Sequence, residues 1–196
     1  MSKKIRSIYI FLLILGITCL GCADKRPKYK NLEFEFFLHY NPTWEMKERV
    51  DSAVVAFLAP QADKLDFFQE TMTITIDDLL KPVTLAQYTE AVQAQVKAMG
   101  TMKDVTLNVI ETKPLKISGK AGHQIVYTLT QYGNPQELVD QGLAPRIDAQ
   151  GETIQIRLAW TIRENRVYLF TYVAQRDSYA TFITDVDAMI QSFRFL

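Results

Sequence analysis

Between Thr153 and Gln175 the chain reads TIQIRLAWTIRENRVYLFTYVAQ, and the alternation in that stretch leaves few folds open. Ile154, Ile156, Leu158, Trp160 and Ile162 fall on every second position. Thr153, Gln155, Arg157, Thr161 and Arg163 fill the gaps, with Ala159 the one apolar member of that set. A period of two sends one set of side chains to each face of a sheet. Glu164-Asn165 suits a two-residue hairpin loop, because Asn tolerates the positive φ that a primed turn needs. The returning strand over 166–174 then sets Val167 opposite Ile162, Leu169 opposite Trp160 and Val173 opposite Ile156. One face is dry, with Ile156, Trp160, Val167 and Leu169. The other carries Tyr168, Phe170 and Tyr172 beside Arg157 and needs cover as well. A sheet with two apolar faces wants a layer on each side. The prediction is an α+β domain, an antiparallel β-sheet sandwiched between α-helices.

The rest of the chain supplies the parts. LEFEFFLHY over 32–40 alternates as a strand with one buried face, and Asn41-Pro42 ends it ahead of Trp44. AVVAFLA over 53–59 is a short apolar strand stopped by Pro60, and TMTITI over 71–76 alternates again. Thr84 and Gln87 have capping-box spacing, and Gly100 stands where a left-handed C-terminal cap is expected. Between them Leu85, Tyr88, Val92, Val96 and Met99 form one apolar stripe at helical spacing, which predicts a core-facing helix. A strand region over 104–117, with Pro114 marking an edge or a bend, a turn at 118–122 and a strand over HQIVYTLTQY follow. A second helix over about 178–191, capped by Asp177 or Ser178, turns Tyr179, Phe182, Ile183, Val186, Ile190 and Phe193 inward. The closing FRFL forms a last short strand or packs over an edge.

Two segments stand apart from this core. At the start, Lys3, Lys4 and Arg6 precede the apolar run IYIFLLILGITCL, which ends at Cys19-Leu20-Gly21-Cys22. That three-part pattern is a targeting signal rather than structure. The CLGC ending resembles a bacterial lipobox, with Cys19 in place of the usual Leu. It predicts a signal peptide over 1–21 and lipidation of Cys22, with acyl chains such as palmitate; a plain secretory signal and an uncleaved anchor are the alternatives. Residues 22–31 then read as a polar, basic tether, and 32–196 as one domain. The second segment is GNPQELVDQGLAPRIDAQGE over 133–152, which interrupts what would otherwise be a hairpin. Loops of this length in compact domains are usually functional or disordered. Its Leu138, Val139, Leu143 and Arg146 are the candidate partner-binding residues, together with whatever part of Tyr168, Phe170, Tyr172 and Arg157 the helices leave uncovered.

Composition removes several function classes. Of 22 basic residues, Lys3, Lys4 and Arg6 leave with the signal, so 19 remain against 22 acidic ones, a net charge near −3. That balance offers no basic footprint for nucleic acid, nor a reason for the domain to seek an anionic membrane by charge alone. Cys19 and Cys22 are the chain's two cysteines, so the domain carries neither a disulfide framework nor a thiol nucleophile. His39 and His123 are the two histidines, and metal binding would require the fold to bring them together with further ligands. GKAGH lacks the frame of a phosphate-binding loop, and no serine stands in a nucleophile-elbow context. Asp77-Asp78 and Asp185/Asp187 lack the EF-hand frame and read as solvated carboxylates. The expectation is a non-enzymatic protein with no cofactor and no metal.

Several short patterns taken together resemble the PsbP-like family. Tyr40-Asn41-Pro42-Thr43-Trp44 is similar to its Tyr-Pro-x-x-Trp, with the proline one place later. The run from Val54 to Pro60 resembles its proline-ended strand, and Thr84-Leu85 its helix-opening Thr-Leu. Gly119 and Tyr127 have the spacing of its Asn-Gly-(x)₇-Tyr hairpin, with Ser118 for Asn, and Ser192-Phe193 matches its closing Ser-Phe. The resemblance covers roughly residues 32–196. It implies an antiparallel sheet between helices, and a family that includes photosystem II extrinsic proteins, a cyanobacterial PsbP homologue and DcrB-like lipoproteins. The function expected from it is a lipid-anchored accessory or assembly module facing the periplasm or cell exterior and binding a membrane-protein partner. A photosystem II extrinsic or assembly factor, and a periplasmic protein that binds a small ligand or metal, are the alternatives.

Overall fold

The computed structural model describes residues 25–61, 68–132 and 152–196. Its elements are β1 (Lys28–Asn31), β2 (Phe36–His39), β3 (Glu45–Val50), β4 (Ala53–Leu58), β5 (Thr71–Asp78), α1 (Leu85–Met99), β6 (Val105–Ile117) and β7 (Lys120–Gln131). They continue with β8 (Glu152–Arg163), β9 (Arg166–Gln175), α2 (Tyr179–Ser192) and β10 (Arg194–Phe195). Seven strands form one antiparallel sheet in the order β3-β4-β5-β9-β8-β7-β6, and a second, three-stranded sheet runs β1-β2-β10.

The β8–β9 hairpin has the register that alternation predicts: Ile162 faces Val167, Trp160 faces Leu169 and Ile156 faces Val173. Glu164 and Asn165 have φ of 51° and 64°, as a primed two-residue turn requires. Because neighbours along a strand point to opposite faces, the hairpin serves two cores. Trp160 and Val167 pack with Val92 and Val96 of α1 and with Ile125 and Tyr127 of β7. Tyr168, Phe170, Tyr172 and Ala174 pack on the other face with Val186, Met189, Ile190 and Phe193 of the α2 end, and with Tyr29, Phe36 and Leu38 of the small sheet.

The two faces are therefore covered unequally, and the expectation of a sheet sandwiched between helices holds only in part. Helix α1 lies over one face alone. On the other, α2 shares the layer with β1, β2 and β10. A single 14-residue helix is too narrow to cover a seven-stranded sheet, and the small sheet supplies the missing apolar area.

Other departures have local causes. The run over 32–40 is not one strand. Asn31 Oδ1 accepts the Phe34 N–H at 2.9 Å and Glu35 takes φ 53°, so residues 32–35 turn back and only Phe36–His39 continue as β2. Its partner is Lys28–Asn31, inside the segment read as tether, with Tyr29 buried in the core. The small sheet thus begins at Lys28, inside that segment. The charged run EMKERV forms the outer strand β3, which shows no alternation because most of it faces solvent. Helix α1 has its full capping box at Thr84 and Gln87, but Gly100 ends it at φ −69° rather than in a left-handed conformation.

Candidate functional site

The outer strand β6 and helix α1 build the most distinctive surface. β6 has β7 on one side and, among the described residues, nothing paired on the other. Its register slips between Val109 and Glu111, a bulge that leaves Ile110 half exposed at 52% and Val109 open beside it. Tyr132, whose N–H donates to the Asp104 carbonyl at 2.8 Å, and Met102 add exposed apolar surface at the base of the same strand. The opposite edge, β3, presents Glu45, Lys47, Glu48 and Arg49 instead, the usual way of blunting an edge.

Toward its other end β6 joins a groove. The N-terminal half of α1 (Leu85, Ala86, Thr89, Glu90) and the β6–β7 hairpin (Pro114, Leu115, Lys116, Gly119, Ala121, Gly122, His123) line an open groove of about 910 Å³. The hairpin turn is tight, with Ser118 and Gly119 at φ 51° and 77°. Gly122 has no room for a side chain, since a Cβ there would stand 2.5 Å from the Trp160 carbonyl oxygen. The His123 ring lies 5.5 Å from the Trp160 ring, and its Nε2 hydrogen-bonds Thr112 Oγ1 at 2.9 Å. Burial pushes the His123 pKa below its ordinary value.

On the far face a polar relay crosses the sheet. Lys113 donates to Glu111 at 2.7 Å, Gln124 donates to Glu111 at 2.6 Å, and Arg157 donates to Gln124 at 2.8 Å and to Asp187 of α2 at 2.5 Å. The Lys113 hydrogen bond, reinforced by that from Gln124, holds the Glu111 carboxyl below the usual carboxylate range. Asp185 accepts from Asn41 Nδ2 at 2.9 Å and from Trp44 Nε1 at 3.1 Å. Asp185 and Asp187 are thus structural acceptors that fasten α2, which corrects their reading as merely solvated carboxylates.

The sequence candidates fare differently. Cys22, Leu138, Val139, Leu143 and Arg146 lie outside the described residues. Tyr168, Phe170, Tyr172 and Arg157 are buried beneath α2 and the small sheet, so none is free to anchor a partner. His39, whose Nδ1 contacts the Arg26 carbonyl oxygen, sits on the small sheet, whereas His123 belongs to the α1 face. The fold does not bring them together. Among the described residues no group of three His, Cys, Asp or Glu side chains could hold a metal ion. Pro114, read as marking an edge or bend, stands on a strand that is an edge among the described residues, whereas the groove was not foreseen. The signal for the edge was present in Val109-Ile110, two adjacent apolar residues that break the alternation of a strand containing proline.

The fold built from these parts is PsbP-like. No model of a protein family and no curated protein sequence matches the chain. Among solved structures, the chain is similar to cyanobacterial PsbP (CyanoP) from Synechocystis, with a TM-score of 0.58 at 14% identity over 91% of this chain and 98% of that one. It is also similar to LpqN of Mycobacterium tuberculosis, a protein involved in cell envelope biogenesis, with a TM-score of 0.55 at 11% identity over 88% and 86% of the two chains. The Ran-binding protein Mog1p of Saccharomyces cerevisiae superimposes with a TM-score of 0.51 at 10% identity over 86% and 94%.

Proposed function

We propose that the protein is a lipid-anchored, extracytoplasmic and non-enzymatic module that docks a membrane-protein partner along the outer edge of β6. The observation that carries this reading is the concentration of exposed apolar side chains (Met102, Val109, Ile110, Tyr132) on one edge, against a charged opposite edge. Exposed apolar surface rimmed by polar residues is the physical mark of an interaction site. Leu138, Val139, Leu143 and Arg146 are proposed to belong to the same surface. Their segment connects Tyr132, which is itself part of the exposed edge, to the start of β8 at Glu152.

The anchor is proposed at Cys22 on the strength of the charged, apolar and small-residue pattern before it. LpqN, named for cell envelope biogenesis, supports an extracytoplasmic setting. With β1 starting at Lys28, the six residues from the anchor reach at most about 20 Å, so the domain stays close to the bilayer. No helix among the described residues is long and apolar enough to cross a membrane. Mass spectrometry of the protein from its native membrane is expected to show a mature N-terminus acylated at Cys22; an unmodified Cys22 with cleavage elsewhere would remove the anchor from the proposal.

The partner reading is tested by affinity isolation from native membranes. Ile110→Asp with Val109→Lys is expected to abolish recovery of the partner while leaving the melting temperature within a few degrees. Replacing 133–151 by Asn-Gly is expected to reduce recovery. Unchanged recovery with both variants would place the binding surface elsewhere. A small-ligand reading has a specific observation in its favour, the groove between α1 and the hairpin.

A further inference from the structure

We infer that this groove is a second, separate binding site, and that its occupant is a single-chain fatty carboxylate with its tail along the trough and its head at Lys116. The inference stands independently of the partner docked on β6. Leu85, Ala86, Pro114 and Ala121 make the walls mostly apolar, and about 910 Å³ is within the roughly 300–1,000 Å³ typical of ligand sites.

Two polar atoms near the floor are already committed: His123 Nε2 to Thr112, and Trp160 Nε1 to Thr89 Oγ1 at 3.3 Å. An alkyl chain therefore strands neither of them, and it gains the apolar contact. A peptide strand fits less well. Its N–H and C=O groups would need partners, and Pro114 takes a backbone donor out of the hairpin wall.

Charge fixes the orientation. Along β6, Lys113 is paired with Glu111, whereas Lys116 at the groove and Lys120 beyond the turn have no ion-pair partner among the described residues. One ammonium in the lining matches one carboxylate. Glu90, on the helix wall, repels a negative head and directs it to the hairpin side. The depressed pKa of His123 keeps the imidazole neutral at pH 7, so it brings no competing charge into the trough.

The test uses the full-length protein in lipid nanodiscs and a palmitate analogue bearing a mid-chain diazirine. Photolabelling is expected on peptides spanning 85–90 and 114–123, and excess palmitate should compete with it. Ala86→Trp and Ala121→Trp, at two exposed positions that tolerate a larger side chain, should each cut labelling at least tenfold by filling the trough. Lys116→Glu should cut it by a similar factor, whereas Glu90→Gln should preserve or raise it. Thermal melts of the four variants check that each remains folded. Labelling that ignores both tryptophans overturns the site. Equal labelling by a hexadecanol or lysophosphatidylcholine analogue, unaffected by Lys116→Glu, overturns the carboxylate.

Discussion

Trp160 is fully buried, with its indole N–H on Thr89 Oγ1 and its ring against Tyr88 and His123. Emptying a buried aromatic site costs about 3–5 kcal/mol, a large part of the roughly 5–15 kcal/mol that holds a domain folded. Trp160→Ala is expected to lower stability by that amount in chemical denaturation; an unchanged midpoint would show that α1 does not seal this face. His123 gives a prediction of defined sign. Its folded pKa is depressed by burial, so on acidification the unfolded chain takes up a proton before the folded one does. Its neutral-state stability is full above about pH 6.5 and is lost as pH falls toward the folded pKa. Denaturation at pH 7 and pH 5 should show a smaller loss for His123→Gln than for the natural protein, and an identical loss would show that His123 does not contribute. Asp185 illustrates what residue-level reading cannot reach. Its donors, Asn41 and Trp44, are more than 140 positions away along the chain, and nothing at Asp185 itself announces them.

Among the elements, α1 is the hinge between fold and site, because its inner stripe seals Trp160 while its N-terminal half forms the groove wall. Thr84 accepts the Gln87 N–H at 3.2 Å, and Gln87 Oε1 accepts the Thr84 N–H at 2.9 Å. Thr84→Ala should cost about 0.5–2 kcal/mol in denaturant titration, and a loss near zero would mean that packing alone fixes the helix start. This cap was legible because its signal is local, as was the β8–β9 register, where side-chain alternation and a short turn agree. The β1–β2 hairpin was not. Leu32, Phe34, Phe36 and Leu38 keep the period of two across a turn, yet Leu32 is 71% exposed while Phe36 and Leu38 are buried. Alternation alone does not reveal where a strand reverses. β3 was hidden for the opposite reason, since an edge strand facing solvent needs no apolar set. The groove arises from the approach of α1 to a hairpin distant in sequence, so no single stretch encodes it.

For the whole molecule, two unequal edges and two unequal faces assign different tasks to different sides. α2 and the small sheet close one face, fastened by Asp185, Asp187 and the Phe193 cluster. The edge at β3 is charged, and the edge at β6 is apolar at its bulge. A partner is therefore expected to meet the domain at β6. The most direct measurement places a photoactivatable amino acid at Ile110 or at Lys47, both exposed, in the full-length protein and irradiates native membranes. A discrete adduct with one membrane protein from Ile110, and none from Lys47, is the predicted result; adducts from Lys47 alone, or equally from both, would contradict the assignment of β6 as the docking edge.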